Sequence, residues 1–174
     1  PSTSLGPKMG MEATSLSRIL KTLERLVMYQ IEDSAFRLDP ISNDQHTFRK
    51  DRSMETALSA TIRNIEQGMR EDGFVIGVFL DIKGAFDNIL PAKIIEAMTE
   101  KGIDETICFW YDQMLNNRTC QLTIGTDTLE ADLSMGVGQG YVTAPPLGWL
   151  TPFDKLLIAW KKTAAKGKGY ADDA

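Results

Sequence analysis

The stretch Phe74-Val-Ile-Gly-Val-Phe-Leu-Asp81 joins an almost continuous apolar run to a carboxylate. A short apolar run of this kind is typical of a β-strand that is buried on both faces. We therefore predict a strand over residues 74–80, with Asp81 at its carboxyl end. A buried, ionised carboxylate is costly unless a cation or hydrogen-bond donors compensate it. From these residues alone, Asp81 is either a metal ligand or the cap of the turn after the strand.

Helical patterns precede this strand. Apolar residues recur at helical spacing from Ser15 to Ile31, and a second helix is expected between an N-cap at Ser53 and a stop at Gly73. The apolar positions of the two patterns are Ile19, Leu20, Leu23, Leu26, Val27 and Ile31, then Ala57, Leu58, Ile62, Ile65 and Met69. We expect these residues to face the core.

Two more helices and a hairpin are expected after the strand. Pro91 begins a helix that ends near Gly102, and Asp104 caps the next one. Residues 118–124 and 128–133 read as a β-hairpin. A glycine-rich loop at 136–140 then leads into an apolar, helix-like segment to about Trp160. The inward residues of the fourth helix are predicted to be Ile107, Trp110, Tyr111, Met114 and Leu115. The predicted fold class is α+β.

Size and composition fit one domain of ordinary globular character. The chain has 174 residues, a hydrophobic fraction of 43% and a charged fraction of 25%. No apolar run approaches the roughly 20 residues of a membrane span, and no secretory signal is recognisable, so we expect an intracellular protein. The net charge of -5 argues mildly against nucleic-acid binding, because such proteins usually carry a basic face. Basic residues are instead concentrated at Arg49, Lys50 and Arg52, and at Lys161, Lys162, Lys166 and Lys168.

Two further motifs carry possible chemistry. Tyr170-Ala-Asp172-Asp173 places like charges side by side, which a divalent cation would relieve, although most such pairs, considered alone, are only solvated acids. Gly136-Val-Gly-Gln-Gly140 precedes an expected helix, and its glycines would let backbone N–H groups approach a ligand closely. Glycine-rich turns are common, so neither motif decides a function alone.

Taken in order, these motifs resemble those of reverse transcriptases from LINE-type (non-LTR) retrotransposons, particularly jockey-like ones. The chain has an acid after a strand, then a Gly-Gln-Gly loop before a helix, then a Tyr-x-Asp-Asp box. The motifs of that family occur in the same order. Two upstream motifs agree with it. The matching stretches are Leu23-Glu-Arg-Leu26, Gln45-His-Thr-Phe-Arg-Lys-Asp-Arg-Ser53, Phe79-Leu-Asp-Ile-Lys-Gly-Ala-Phe-Asp-Asn88, the glycine-rich loop and Gly169-Tyr-Ala-Asp-Asp173.

The resemblance implies the fingers and palm of a right-hand polymerase, with a small, mainly antiparallel sheet packed on helices. Residues 1–15 would be a loose or degenerate N-terminus, and 16–174 a partial reverse transcriptase domain without a thumb. Its fingers would be 16–73 and its palm 74–174, truncated after the Tyr-Ala-Asp-Asp box. We expect such a truncated chain to polymerise poorly or not at all, because little sequence follows the box to hold its acids.

The implied activity is RNA-directed DNA polymerisation, in which dNTPs are added to a primer 3′-end. The implied partners are an RNA template and a DNA primer, and no membrane is involved. The implied location is the cytoplasm and the nucleus. Two Mg²⁺ or Mn²⁺ ions would be held by the catalytic acids Asp81, Asp172 and Asp173. The implied nucleotide-binding residues are Arg49, Lys50, Arg52, Phe86, Gln139 and Gly140, with Phe86 set against the sugar.

Several positions depart from the family's pattern. Gly138 stands for a usual proline, Tyr141 for a small residue and Asp51 for a usual glycine, while Gly148 and Pro152 interrupt an expected helix. Such changes are typical of mutational decay. An alternative function is therefore a decayed or domesticated palm that binds nucleic acid or a protein partner without doing chemistry.

Overall fold

The computed structural model describes residues 18–124, 127–138, 140–163 and 166–170. Its fold is mixed α+β, as predicted. No helix in these ranges is long and apolar enough to cross a membrane. The elements, in chain order, are α1 (Arg18–Asp33), α2 (Ala35–Leu38), α3 (Met54–Glu71), α4 (Pro91–Glu100), α5 (Glu105–Asn116), β1 (Thr119–Ile124), β2 (Asp127–Asp132), a π-helical segment (Ala144–Leu150) and α6 (Thr151–Lys161).

The helices begin and end at the predicted signals. Ser53 forms a capping box with Thr56: its side chain accepts from Thr56 N at 3.3 Å, and Thr56 Oγ1 accepts from Ser53 N at 2.9 Å. Asp104 caps the first turn of α5 with its side chain. Gly73 and Gly102 follow the ends of α3 and α4 with φ of 78° and 76°, which terminates a helix at little steric cost. These local predictions are confirmed.

The predicted hairpin is also present. Strands β1 and β2 pair antiparallel, from Thr119 opposite Asp132 to Ile124 opposite Asp127. The turn residues 125 and 126 lie outside the described residues. All of β2 is exposed, so the hairpin extends from the body of the molecule rather than covering its core.

The core consists of two clusters that meet at two aromatic residues, Phe36 and Phe86. The larger cluster joins α1, α4, α5 and the π-helical segment, and the smaller joins α6 to the loops around residues 41 and 85. Phe86 is partly buried and packs against both clusters. The fully buried residues at the centre of the larger cluster are Ile31, Ile94, Met98, Tyr111, Leu115 and Leu147.

The predicted buried strand at 74–80 is wrong. The segment forms no strand, and its large apolar side chains are exposed, with Phe79 at 86% and Ile76 at 81%. A strand is stable only when a neighbouring strand completes its hydrogen bonds, and no strand of the described residues pairs with this segment. The apolar run predicts a tendency to be buried, but it does not supply the partner.

The predicted inward faces of α1 and α3 are also largely wrong. On α1 the buried residues are Glu24, Met28 and Ile31, whereas Ile19 is exposed. On α3 only Ala57 is buried. Helical periodicity identifies an apolar stripe, but burial also needs an element that packs on it. The further exposed residues of the two stripes are Leu23, Leu26, Leu58, Ile62, Ile65 and Met69.

Candidate active site

The turn after the predicted strand and the glycine-rich loop are in direct contact. Gly136 N donates to Ile89 O at 2.8 Å, and Val137 N donates to Phe86 O at 2.8 Å. Gly136 has a φ of 75°, and a Cβ added there would lie 2.7 Å from Asp87 O. Glycine is therefore required at 136, because any side chain would separate the loop from the turn.

The turn itself is closed by its own residues. Asp87 N and Asn88 N both donate to Gly84 O, at 3.0 and 2.8 Å, and Asn88 Nδ2 donates to Lys83 O at 3.1 Å. Asp87 and Asn88 thus fix the turn, as predicted. These bonds close the turn without the Asp81 side chain, which is exposed to solvent. Asp81 therefore does not cap the turn, and it is exposed rather than buried as expected; its predicted role as a metal ligand stays a prediction.

The Phe86 ring connects its own turn to the loop that contains Phe48 and to the π-helical segment. We name residues 47–52, which include Arg49, Lys50 and Arg52, the basic loop. The Phe86 ring meets Phe48 of this loop edge-to-face, at a centroid distance of 6.3 Å. It also meets Trp149 of the π-helical segment at 5.9 Å, and Trp149 stacks on Phe153 at 5.0 Å. Phe86 therefore has a packing role here. Its predicted contact with the sugar of a nucleotide stays a prediction.

The basic loop is held by one of its own arginines. Arg49 is half-buried and donates through Nη1 to Ser42 O at 2.5 Å and to Gln45 O at 3.4 Å. Burial lowers the pKa of Arg49, and the nearby charge of Arg52 lowers it further. Lys50 is exposed, and Arg52 is half-buried and bonds to Asn43 Oδ1 at 3.3 Å. Arg49 thus supports the loop that presents Lys50 and Arg52.

Asp51 lies between those two cations with a φ of 60°. This left-handed conformation is one that glycine adopts without strain, and aspartate is among the few other residues that tolerate it. The geometry explains why glycine would be the usual residue at this position. The departure at Asp51 therefore costs little, and the loop keeps its shape.

A cavity of about 490 Å³ lies between the basic loop and α3. Its lining includes Arg52, Arg63, Lys168 and His46. His46 Nδ1 lies 2.8 Å from Thr56 Oγ1. Burial lowers the pKa of His46, and the charges of Arg52 and Lys168 lower it further. His46 thus contacts the capping box of α3 through Thr56.

Glu24 is a site residue that the sequence reasoning missed. It is fully buried on α1, where Oε2 accepts from Val142 N at 3.1 Å and Oε1 accepts from Thr143 Oγ1 at 2.7 Å. These donors lie just after the glycine-rich loop, at the start of the π-helical segment, where a negative charge is favourable. Tyr111 is buried beside them, and burial raises its pKa. The Leu23-Glu-Arg-Leu26 motif contained the signal, but its partner is distant in sequence.

Arg118 is a second missed residue. Its Nε donates to Leu115 O at 2.7 Å, at the end of α5. Its Nη2 donates to Gly136 O at 2.8 Å and to Met135 O at 3.2 Å. Arg118 therefore ties the glycine-rich loop to the larger core cluster. It was expected only as the first residue of the hairpin.

Three of the predicted site residues, Gln139, Asp172 and Asp173, lie outside the described residues. Gly140 follows Gln139 with a φ of 93°. Within the described ranges, no group of three or more histidine, cysteine or acidic side chains could hold a metal ion. The structure thus brings the basic loop, Phe86 and the glycine-rich loop together, and it describes Asp81 alone of the three predicted metal ligands.

Comparison with known proteins agrees with the family that these motifs resemble. The family model described as reverse transcriptase (RNA-dependent DNA polymerase) matches residues 8–174. The chain belongs to the reverse transcriptase family. The resemblance predicted from the ordered motifs is therefore confirmed at this level.

A curated relative points to the kind of element. It is the "Putative 115 kDa protein in type-1 retrotransposable element R1DM" of Drosophila melanogaster, 26% identical to this reverse transcriptase over 129 residues. Those residues are 74% of this chain and 12% of the relative, so the chain spans a small part of that protein's length. The match supports the predicted LINE-type origin.

Proposed function

We propose that this chain is the fingers-and-palm part of an RNA-directed DNA polymerase from a non-LTR, jockey-like retrotransposon. It would add dNTPs to the 3′-end of a DNA primer on an RNA template. The observation that carries the proposal is the convergence at Phe86, whose ring contacts Phe48 and Trp149 and whose carbonyl accepts from Val137 N. The basic loop, the turn at Phe86 and the segment that follows the glycine-rich loop are far apart in sequence, and they meet at this residue.

The acids Asp81, Asp172 and Asp173 would hold two Mg²⁺ or Mn²⁺ ions, for which carboxylate oxygens are suitable ligands. Such ions activate the attacking hydroxyl and stabilise the leaving oxygens of a phosphoryl transfer. The exposed carboxylate of Asp81 fits this role, because the turn does not use it as a cap.

The other residues would bind and orient the nucleotide. Lys50 and Arg52, on the loop that Arg49 supports, would neutralise the triphosphate with several donors at once. Phe86 would exclude a 2′-hydroxyl from the sugar site. Gln139 and Gly140 would pack beside the incoming nucleotide, at the end of the loop that Glu24 and Arg118 hold.

A decayed palm that only binds nucleic acid or a protein is the second candidate. The departures at Gly138 and Tyr141 first suggested it. In the structure the Tyr141 ring occupies the space that a side chain at 138 would need, so these two departures fit each other. The two departures therefore leave the loop packed, and they do not by themselves argue for decay.

Primer extension on an RNA template tests the proposed function. We expect this chain to extend the primer slowly with dNTPs in Mg²⁺, and the Asp81→Asn variant not to extend it at all. Extension should stop when the metal is chelated and resume when Mg²⁺ is restored. Template binding without extension under every metal condition would instead support the non-catalytic palm. Extension that persists in Asp81→Asn would contradict the assignment of Asp81.

A further inference from the structure

The chain segment just before the Tyr-Ala-Asp-Asp box is paired with a loop far upstream. Gly169 N donates to Asp44 O at 2.9 Å, and His46 N donates to Gly169 O at 3.0 Å. Together they form a parallel β-bridge between Gln45 and Gly169. We name residues 44–46 the anchor loop. Both backbone groups of Gly169 are bonded to it, which fixes the direction of the chain at that point.

Ion pairs reinforce this pairing. The Asp44 carboxylate binds Lys168, next to Gly169, and it also lies 3.1 Å from Lys161 Nζ at the end of α6. Partial burial opposes ionisation of Asp44, yet the hydrogen bonds from Lys168 and Lys161 lower its pKa. One carboxylate therefore joins the anchor loop to α6 and to the segment before the box.

Side-chain packing leaves Gly169 no room to shift. A Cβ added there would lie 2.6 Å from a ring carbon of Phe153 and 3.2 Å from Gln45 Oε1. Gln45 is fully buried, and its Oε1 accepts from His46 N at 2.8 Å and from Thr47 N at 3.3 Å. The segment is thus enclosed by the smaller core cluster on one side and by the anchor loop on the other.

We propose that the anchor loop positions the segment that carries Asp172 and Asp173, with Asp44 and Gln45 as positioning residues. The catalytic part of this inference rests on the proposed function. The two acids follow Gly169 by three and four residues, so the direction of the chain at Gly169 limits where they can lie. Ligands of a catalytic site must be held to within about half an ångström, and rigid neighbours provide that restraint. The anchor loop supplies it at the residues that precede the box in sequence.

Hydrogen–deuterium exchange tests the anchoring independently of metal or activity. We expect Asp44→Asn to speed exchange about tenfold in a peptide that covers residues 166–173, while peptides of α4 and α5 stay unchanged. Gly169→Ala should have the same local effect. Asp33→Asn, at an exposed position of α1, is the matched control and should change nothing in 166–173. Unchanged exchange in both anchor variants would overturn the proposal.

Mn²⁺ binding tests the consequence for the acids. Lys168→Met should weaken Mn²⁺ binding about tenfold, as loss of a supporting residue does in other metal sites, and Lys168→Arg should restore it. Faster exchange with undiminished Mn²⁺ affinity would overturn the positioning role and leave a purely structural contact. If the wild-type affinity does not depend on Asp81, the proposed function fails, while the exchange result still decides whether the loop anchors the segment.

Discussion

The ring of Tyr141 lies directly against Gly138, so that a Cβ added to Gly138 would come within 2.2 Å of a ring carbon. Tyr141 N also donates to Gly138 O at 3.3 Å, which closes a tight turn. With the Tyr141 ring in this position, a proline at 138 would collide with it, and the ring would have to move. The ring of Tyr141 thus fills the space and restrains the loop where a proline would otherwise do so.

This relationship predicts strong coupling between the two positions. Gly138→Ala should destabilise the protein by about 1–3 kcal/mol, because the added methyl group overpacks the turn. In a Tyr141→Gly background the same change should cost much less, and Gly138→Pro should become tolerated. Denaturant unfolding of the single and double variants measures the coupling energy. Strictly additive effects would show that the two departures are independent.

The Glu24 carboxylate should contribute more to the stability of the protein than an exposed acid of α1 does. Glu24→Ala would leave the buried Val142 N–H and the Thr143 hydroxyl without their acceptor, at a cost of about 2–3 kcal/mol. Glu32→Ala, an exposed acid of the same helix, is the matched control and should have little effect. Chemical denaturation measures both. Equal losses would mean that the helix, and not the contact with the loop, is affected.

Asp154 and Lys101 form a buried ion pair that joins α6 to the end of α4. Asp154 Oδ2 lies 2.6 Å from Lys101 Nζ, and Asp154 Oδ1 accepts from Ser42 N at 2.7 Å. Asp154→Ala would leave a buried ammonium group without this partner and should cost about 3–5 kcal/mol. Lys155→Ala breaks exposed ion pairs on the same helix and should cost far less. Thermal or denaturant unfolding of both variants measures the loss of stability. Similar losses for Asp154→Ala and Lys155→Ala would show that the buried pair contributes no more than the exposed ones.

His46 should make stability depend on pH. Its pKa in the folded protein is lowered from the usual 6.5, so the folded state binds fewer protons than the unfolded state just below that value. Stability should therefore be complete above about pH 6.5 and fall as the pH is lowered through it. Since His46 is the only histidine, His46→Gln should flatten the profile between about pH 7.5 and 5.5. Unfolding free energies with the same pH slope in both proteins would refute this.

Sequence reasoning succeeded where structure is determined locally. The first residues of α3, α4 and α5 follow from Ser53, Pro91 and Asp104, because signals at a helix N-terminus act on backbone groups only one turn away. The turn at Asp87 and Asn88 was predictable for the same reason. The motifs also indicated which segments belong to the site.

It failed where the outcome depends on a distant partner. The run at 74–80 has the composition of a strand, but nothing in it determines which strand will pair with it. The partners of Glu24 and Asp44 could not be predicted, because Thr143 and Lys168, which bind them, lie more than a hundred residues away. The hairpin itself was predictable, but its exposure, with Cys120 open to solvent, depends on whether another element packs on it.

Divalent-ion binding tests the assignment of Asp81 most directly. Titration of the chain with Mn²⁺, followed by the electron paramagnetic resonance signal of the free ion, gives the affinity of wild type, Asp81→Asn and Asp87→Asn. The two variants lose the same charge, six residues apart, and both acids are exposed. We predict that Asp81→Asn weakens binding at least about tenfold and that Asp87→Asn leaves it within about twofold. Equal, weak binding by all three proteins would contradict an assembled metal site.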